Sequence, residues 1–116
     1  MKRGDVILVR FPHPSGIRGK KRPAVVVQSD AYSSKIGTIL VAEVTSNLAL
    51  SNDPSCLLID TKTPDGQQTG LGIDSVISCL RLAFVYPHTV DQVVGGLSNA
   101  MLAKLDDCLK AALGLP

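Results

Sequence analysis

The chain predicts a mainly β fold: a small, strongly curved antiparallel sheet of five or more strands in an SH3-like barrel, with a C-terminal helix against it. Three observations carry that expectation. Short apolar runs rich in Val, Ile and Leu recur between turn-forming segments over residues 5–82. Strong helical periodicity appears only near the C-terminus. The strands are too few for a two-sheet sandwich, so the sheet must curl on itself.

The elements follow in order. Asp5–Phe11 (DVILVRF) and Pro23–Gln28 (PAVVVQ) read as the first two strands, because β-branched residues favour the pleated backbone. The eleven residues between them, Pro12–Arg22, exceed a tight hairpin, and long loops in small domains are often functional. Ser29–Lys35 is polar and turn-like, and Gly37–Val44 (GTILVAEV) is a third strand, nearly all apolar and therefore central. Thr45-Ser46-Asn47 ends it. Cys56–Asp60 (CLLID) is a short fourth strand, and Thr61–Gly72, with Pro64 and Asp65-Gly66, reads as a loop. Asp74–Leu82 (DSVISCLRL) is a fifth strand. Strict alternation would set Val76, Ser78, Leu80 and Leu82 on one face and Ile77, Cys79 and Arg81 on the other. Ala83–Tyr86 extends this strand towards Pro87, and a short turn or helix is expected around Val90–Val94.

The helix spans Asn99–Leu113. Ser98 suits its N-cap, and Gly114 stands where a left-handed residue is wanted. Met101, Leu102, Leu105, Cys108, Leu109 and Ala112 form one stripe at spacings of three and four, with Lys104, Asp107 and Lys110 off it.

At 116 residues and 45% hydrophobic, residues 1–116 are expected to form a single domain with a real core. Trp is absent, so that core is aliphatic. Cys56, Cys79 and Cys108 are far apart and form no C-x-x-C pair, which argues against a metal centre or a disulfide framework. Reduced, buried thiols in a cytoplasmic protein are expected. No signal-peptide pattern opens the sequence, and no apolar stretch reaches the ~18–20 residues of a membrane span.

Charge is unevenly distributed. Residues 1–22 hold seven Lys/Arg and one acid, a net of +6, whereas residues 23–116 have a net of −4. Arg18, Lys20, Lys21 and Arg22 close the first long loop (PHPSGIRGKKR). A cationic loop on rigid strands suits an anionic partner, a phosphate backbone first.

Five short motifs, in this order, resemble those of the MazF/PemK (Kid-like) toxins of type II toxin–antitoxin systems. They are Arg3-Gly4-Asp5, Lys21-Arg22-Pro23-Ala24-Val25-Val26-Val27-Gln28, Val44-Thr45-Ser46, Asp74-Ser75-Val76-Ile77, and Leu97-Ser98 before a helix ending Ala112-Leu113-Gly114-Leu115. The resemblance implies a homodimeric endoribonuclease, an mRNA interferase that cleaves single-stranded RNA at short sequence sites without a metal or other cofactor. It also implies a cognate antitoxin whose extended tail fills the RNA groove.

The resemblance assigns Arg22 and Thr45 as catalytic. The chemistry agrees, since attack of a 2′-hydroxyl on phosphorus gathers negative charge on phosphoryl oxygens, and a guanidinium can donate two parallel hydrogen bonds there. Arginine is a poor proton acceptor, so stabilising charge is its role. The Thr45 hydroxyl can bind a phosphate oxygen or orient the 2′-hydroxyl. Arg18, Lys20, Lys21 and Ser46 are the candidate RNA-binding residues, with the cations positioning phosphates. His13, in the loop, and less so His88 are candidate acid/base groups. Phe11 and Tyr32 are candidate stacking faces, although core packing suits Phe11 better.

One departure stands out. Kid-like relatives place a cation and an aspartate around a cysteine in the fifth strand, but the corresponding residues here are Ser78-Cys79-Leu80. That branch's acid–base mechanism does not carry over, and no general base is evident. The alternative reading is therefore a non-catalytic or weakly active toxin-like module that binds nucleic acid or gyrase on the same barrel.

Overall fold

The computed structural model describes residues 1–12, 18–33 and 35–116. Six strands form one antiparallel sheet: β1 (Asp5–Pro12), β2 (Arg18–Val26), β3 (Ile39–Thr45), β4 (Cys56–Ile59), β5 (Ser75–Val85) and β6 (Val90–Gly96). Their order is β4-β5-β3-β2-β1-β6, so β3 and β2 are central. A one-turn helix, α1 (Pro64–Gln68), lies between β4 and β5, and α2 (Asn99–Leu113) ends the fold.

Both faces of the central strands are buried, which is why their sequences run apolar without clean alternation. Val6, Val25, Ala42, Val44, Ile59 and Ile77 pack beneath α2 through Met101, Leu105 and Cys108. Ile7, Val9, Ala24, Val26, Val41 and Val85 form a second core, with Ile39, Ala83 and Val90 at its margin. Neighbours along a strand, such as Val6 and Ile7, thus enter different cores. Helix α2 matches the sequence expectation. Its N-cap Ser98 accepts from the Met101 N–H, and Gly114 takes the left-handed conformation (φ 70°).

Two sequence motifs serve the fold rather than the chemistry. Arg3 donates to the Val27 carbonyl at 3.0 Å and pairs with Asp106 of α2 at 2.6 Å. Asp74 accepts from the Thr61 amide at 2.9 Å and the Thr61 hydroxyl at 2.8 Å, which closes the 61–74 excursion. These hydrogen bonds hold the Asp74 carboxyl below its usual pKa.

The structure corrects four expectations. Arg18–Arg22, read as loop, is the first half of β2, paired across to Pro12, Arg10 and Val9. The 61–72 loop contains α1, started by Pro64 at its first turn and capped by Thr63. Residues 90–96 are strand, not turn or helix, because Val90, Val93 and Val94 are β-branched and the segment pairs with β1, Val90 opposite Val9 and Val93 opposite Ile7. Finally, β5 does not alternate throughout. Ala42 opposes Leu82 while the next residue, Glu43, opposes Ser78, so Cys79, Leu80 and Arg81 bulge out of the ladder with β3. The Cys79 amide instead bonds the Ser55 carbonyl at 3.1 Å. Leu80, expected to share a face with Val76, is left 58% exposed while Val76 is buried.

Candidate active site

Strand register builds the site. Ala24 opposes Glu43 in the β2–β3 ladder, and Val9 opposes Arg22 in the β1–β2 ladder. Continued two residues past its last pair, Ala24–Glu43, the same register would set Arg22 opposite Thr45, and the two residues do line the same two cavities. On β5, Val76 faces Thr45 and Ser78 faces Glu43. Arg22, Thr45 and Glu43 are therefore neighbours on one face at one end of the sheet.

Two cavities meet at this point. The first, of about 310 Å³, is lined by Arg22, Glu43, Thr45, Asn47, Ser78 and Arg81 among others. The second, of about 400 Å³, is lined by Arg22, Pro23, Thr45, Ser46, Ile73 and Ser75 among others. Arg22, Val44 and Thr45 border both. A phosphate held at Arg22 and Thr45 would have a cleft on either side for the flanking nucleotides.

The side chains are poised rather than satisfied. Arg22 is exposed and makes no salt bridge among the described residues. The Thr45 hydroxyl accepts from the Asn47 amide at 3.1 Å, which orients it and leaves its proton to donate outward. Ser46 is exposed on the rim of the second cavity.

The remaining sequence candidates separate. Lys21, next to Arg22 on β2, points to the opposite face and pairs with Asp91 of β6 at 3.0 Å. Lys20 is exposed. Arg18 opens β2, but its side chain, like that of Phe11, lies outside the described structure, as does His13 entirely. His88 stacks on Tyr86 with ring centroids 5.6 Å apart and lines neither cavity at Arg22. Tyr32 lies under Lys35 and faces a different cleft, beside Leu40 and Phe84.

Sequence reasoning missed two residues. Glu43 sits mid-strand in an apolar run, where its register opposite Ala24 could not be read. Arg81 was assigned to the far face by strict alternation, but the bulge turns it into the first cavity. The three thiols are buried and unbridged. Burial and the nearby Cys108 and Cys56 push the Cys79 thiol up to about 12, so it is inert as a nucleophile or base at neutral pH. Among the described residues, no group of three or more His, Cys, Asp or Glu side chains is placed to hold a metal ion.

Known proteins similar to this chain in sequence or in fold agree with one another. "Endoribonuclease MazF9" of Mycobacterium tuberculosis is 32% identical over 121 residues, covering 99% of this chain and 98% of that protein. "Endoribonuclease EndoA" of Bacillus subtilis is 28% identical over 116 residues, covering 99% and 96%. The solved structure of M. tuberculosis toxin MazF-mt6 superposes with a TM-score of 0.77 at 16% identity, covering 97% of this chain and 98% of that one. A MazE–MazF complex from Deinococcus radiodurans gives 0.75 at 20% identity, covering 100% and 98%. A sequence profile of the PemK-like, MazF-like toxins of type II toxin–antitoxin systems matches residues 2–113, and the chain belongs to that family.

Proposed function

We propose that this chain is the toxin of a type II toxin–antitoxin pair, an endoribonuclease that cleaves single-stranded RNA at short sequence sites without a metal. The observation that carries the reading is the pairing of Arg22 and Thr45 at the junction of two cavities. The Arg22 guanidinium binds two phosphoryl oxygens and neutralises the charge that grows as the neighbouring 2′-hydroxyl attacks phosphorus. The Thr45 hydroxyl donates to the same phosphate. Lys20 and Arg18 steer the phosphate backbone, and Ser46 contacts RNA from the rim of the second cavity.

The partner is a cognate antitoxin, in keeping with the MazE–MazF complex among the similar structures. A homodimer is supported by Phe84 and Leu40, cross-strand neighbours that are 68% and 37% exposed. Among the described residues no helix is long and apolar enough to cross a membrane, and we place the protein in the cytoplasm.

The test is incubation of the purified protein with a mixed-sequence RNA in the presence of a chelator. Discrete fragments are expected, with ends mapped by primer extension. RNA that is retarded on a gel but intact would sink the enzyme reading and leave a binding module. Sedimentation of the purified toxin should give twice the chain mass.

A further inference from the structure

Glu43 is the one charged residue of β3, a strand hydrogen-bonded on both sides. It is half buried on the wall of the first cavity. Leaving a carboxylate there costs solvation, and such groups normally find a partner. The charged and titratable groups facing it are Arg22 from β2, Arg81 from the β5 bulge and Cys56 from β4. Even so, among the described residues Glu43 makes neither a salt bridge nor a side-chain hydrogen bond, and neither guanidinium closes on it. A carboxylate held between two arginines and bonded to neither is arranged for something that enters the cavity.

The spacing says what that is. Glu43 and Thr45 are two residues apart on one strand and share a face, a separation of about 6.6 Å along the backbone. A 2′-oxygen in position to attack lies about 3–3.5 Å from its phosphorus. With the phosphate at Arg22 and Thr45, the attacking hydroxyl falls between that phosphate and the Glu43 carboxylate. Among the described residues lining this cavity, the two guanidiniums have no acceptor atom, and Cys56 is a buried thiol engaged with the Ser55 and Ser78 hydroxyls, so Glu43 is the one carboxylate placed to take a proton.

We infer that Glu43 is a catalytic residue, the group that takes the proton from the attacking 2′-hydroxyl; this rests on the endoribonuclease reading above. The 2′-oxygen bonds to phosphorus as its proton passes to the Glu43 carboxylate. The bond from phosphorus to the 5′-oxygen breaks, and that oxygen leaves with the electron pair and takes a proton from water. The products are a 2′,3′-cyclic phosphate and a 5′-hydroxyl, and Glu43 returns its proton to solvent. Arg81 supplies a second guanidinium on the phosphoryl group from the Glu43 side.

The experiment uses the full chain and an oligonucleotide containing one site mapped from the mixed RNA. Single-turnover cleavage is followed from acid to alkaline pH for wild type, Glu43→Gln and Glu43→Asp. Binding is read with the same oligonucleotide carrying a 2′-deoxy sugar at the cleaved position, and the sites are remapped on the long RNA. Glu43→Gln should cleave about 10²–10⁴-fold more slowly, lose the acid limb of the pH–rate profile, and keep both binding and sites. Glu43→Asp should keep the acid limb at an intermediate rate, and it carries the test if Glu43→Gln fails to fold. A wild-type rate in the folded variants overturns the inference alone. So does a slower rate with the acid limb intact in Glu43→Gln, or a shift in cleavage site, which would make the carboxylate a reader of bases. Absence of cleavage by wild type overturns the endoribonuclease reading and the inference together.

Discussion

Replacing Arg22 by alanine should separate catalysis from folding. The side chain is exposed and carries no salt bridge among the described residues. Its removal should therefore change stability by no more than about 0.5 kcal/mol, as for other surface sites without a partner. Such a change shifts the midpoint of thermal unfolding by roughly 2–4 °C in a domain of this size. In the proposed transition state, by contrast, the fork would make two charge-assisted bonds to oxygens that become more negative. Losing one preorganised donor of this kind costs about 2.7–4 kcal/mol, or 10²–10³ in kcat. Two bonds from one side chain do not add fully, so Arg22→Ala should lose on the order of 10³-fold or more in single-turnover cleavage. Arg22→Lys keeps the charge but not the fork, and it should fall between alanine and wild type. The assay is cleavage of the mapped oligonucleotide, with circular dichroism melting run in parallel. Wild-type cleavage by a folded Arg22→Ala protein would refute the reasoning. So would a large fall in melting temperature, which would make Arg22 a structural residue.

Three further outcomes are expected. Thr45→Val removes a hydroxyl that binds the Asn47 amide and faces the site, so cleavage should fall while Thr45→Ser largely retains it; equal loss in both would assign Thr45 to packing. Gly95→Ala should destabilise the fold by about 1–3 kcal/mol in urea titration, because a Cβ there would lie 2.4 Å from the Thr69 backbone and only main-chain movement relieves it. An unchanged midpoint would mean that the Gly95 and Thr69 backbones do not approach that closely. Asp74 has a folded-state pKa below its unfolded value, so its contribution to stability is present at neutral pH and lost as pH falls through the folded value. Asp74→Asn should accordingly lose less stability than wild type on acidification, and identical pH profiles would remove Asp74 from that role.

How much of this was legible in the sequence depended on whether a feature was local. Helix α2 was readable from end to end, since its cap, stripe and terminal glycine are all set within a few residues of one another. Strand β6 was not, because Val90–Gly96 is short and polar at Asp91 and Gln92, and it becomes a strand only by pairing with β1. The same limit applied to α1, whose Pro-Asp-Gly start also suits a turn. Arg22 and Thr45 were found through motif resemblance; their adjacency is a property of the β2–β3 register, which no local pattern states. Glu43 and Arg81 depended on non-local geometry twice over, once through register and once through a bulge that reverses the expected face of β5.

That bulge also changes what the lost charged pair around Cys79 means. On a regular β5, Arg81 would point away from Arg22, and the cationic run after Pro12 would have to supply all the positive charge. In the folded chain that run divides: Arg22 enters the cleft, while Lys21 on the opposite face is held by Asp91 at 3.0 Å. The second guanidinium in the cleft comes instead from Arg81, three residues beyond Ser78. The site thus has one cation on each side of Glu43, from two strands with separate supports. Neutralising Arg81 should weaken cleavage without disturbing Arg22, and the double variant should lose more than either single change if both guanidiniums reach the same phosphate. If Arg81→Ala cleaved like wild type, the bulge would be an accident of curvature and Arg22 would carry the charge alone.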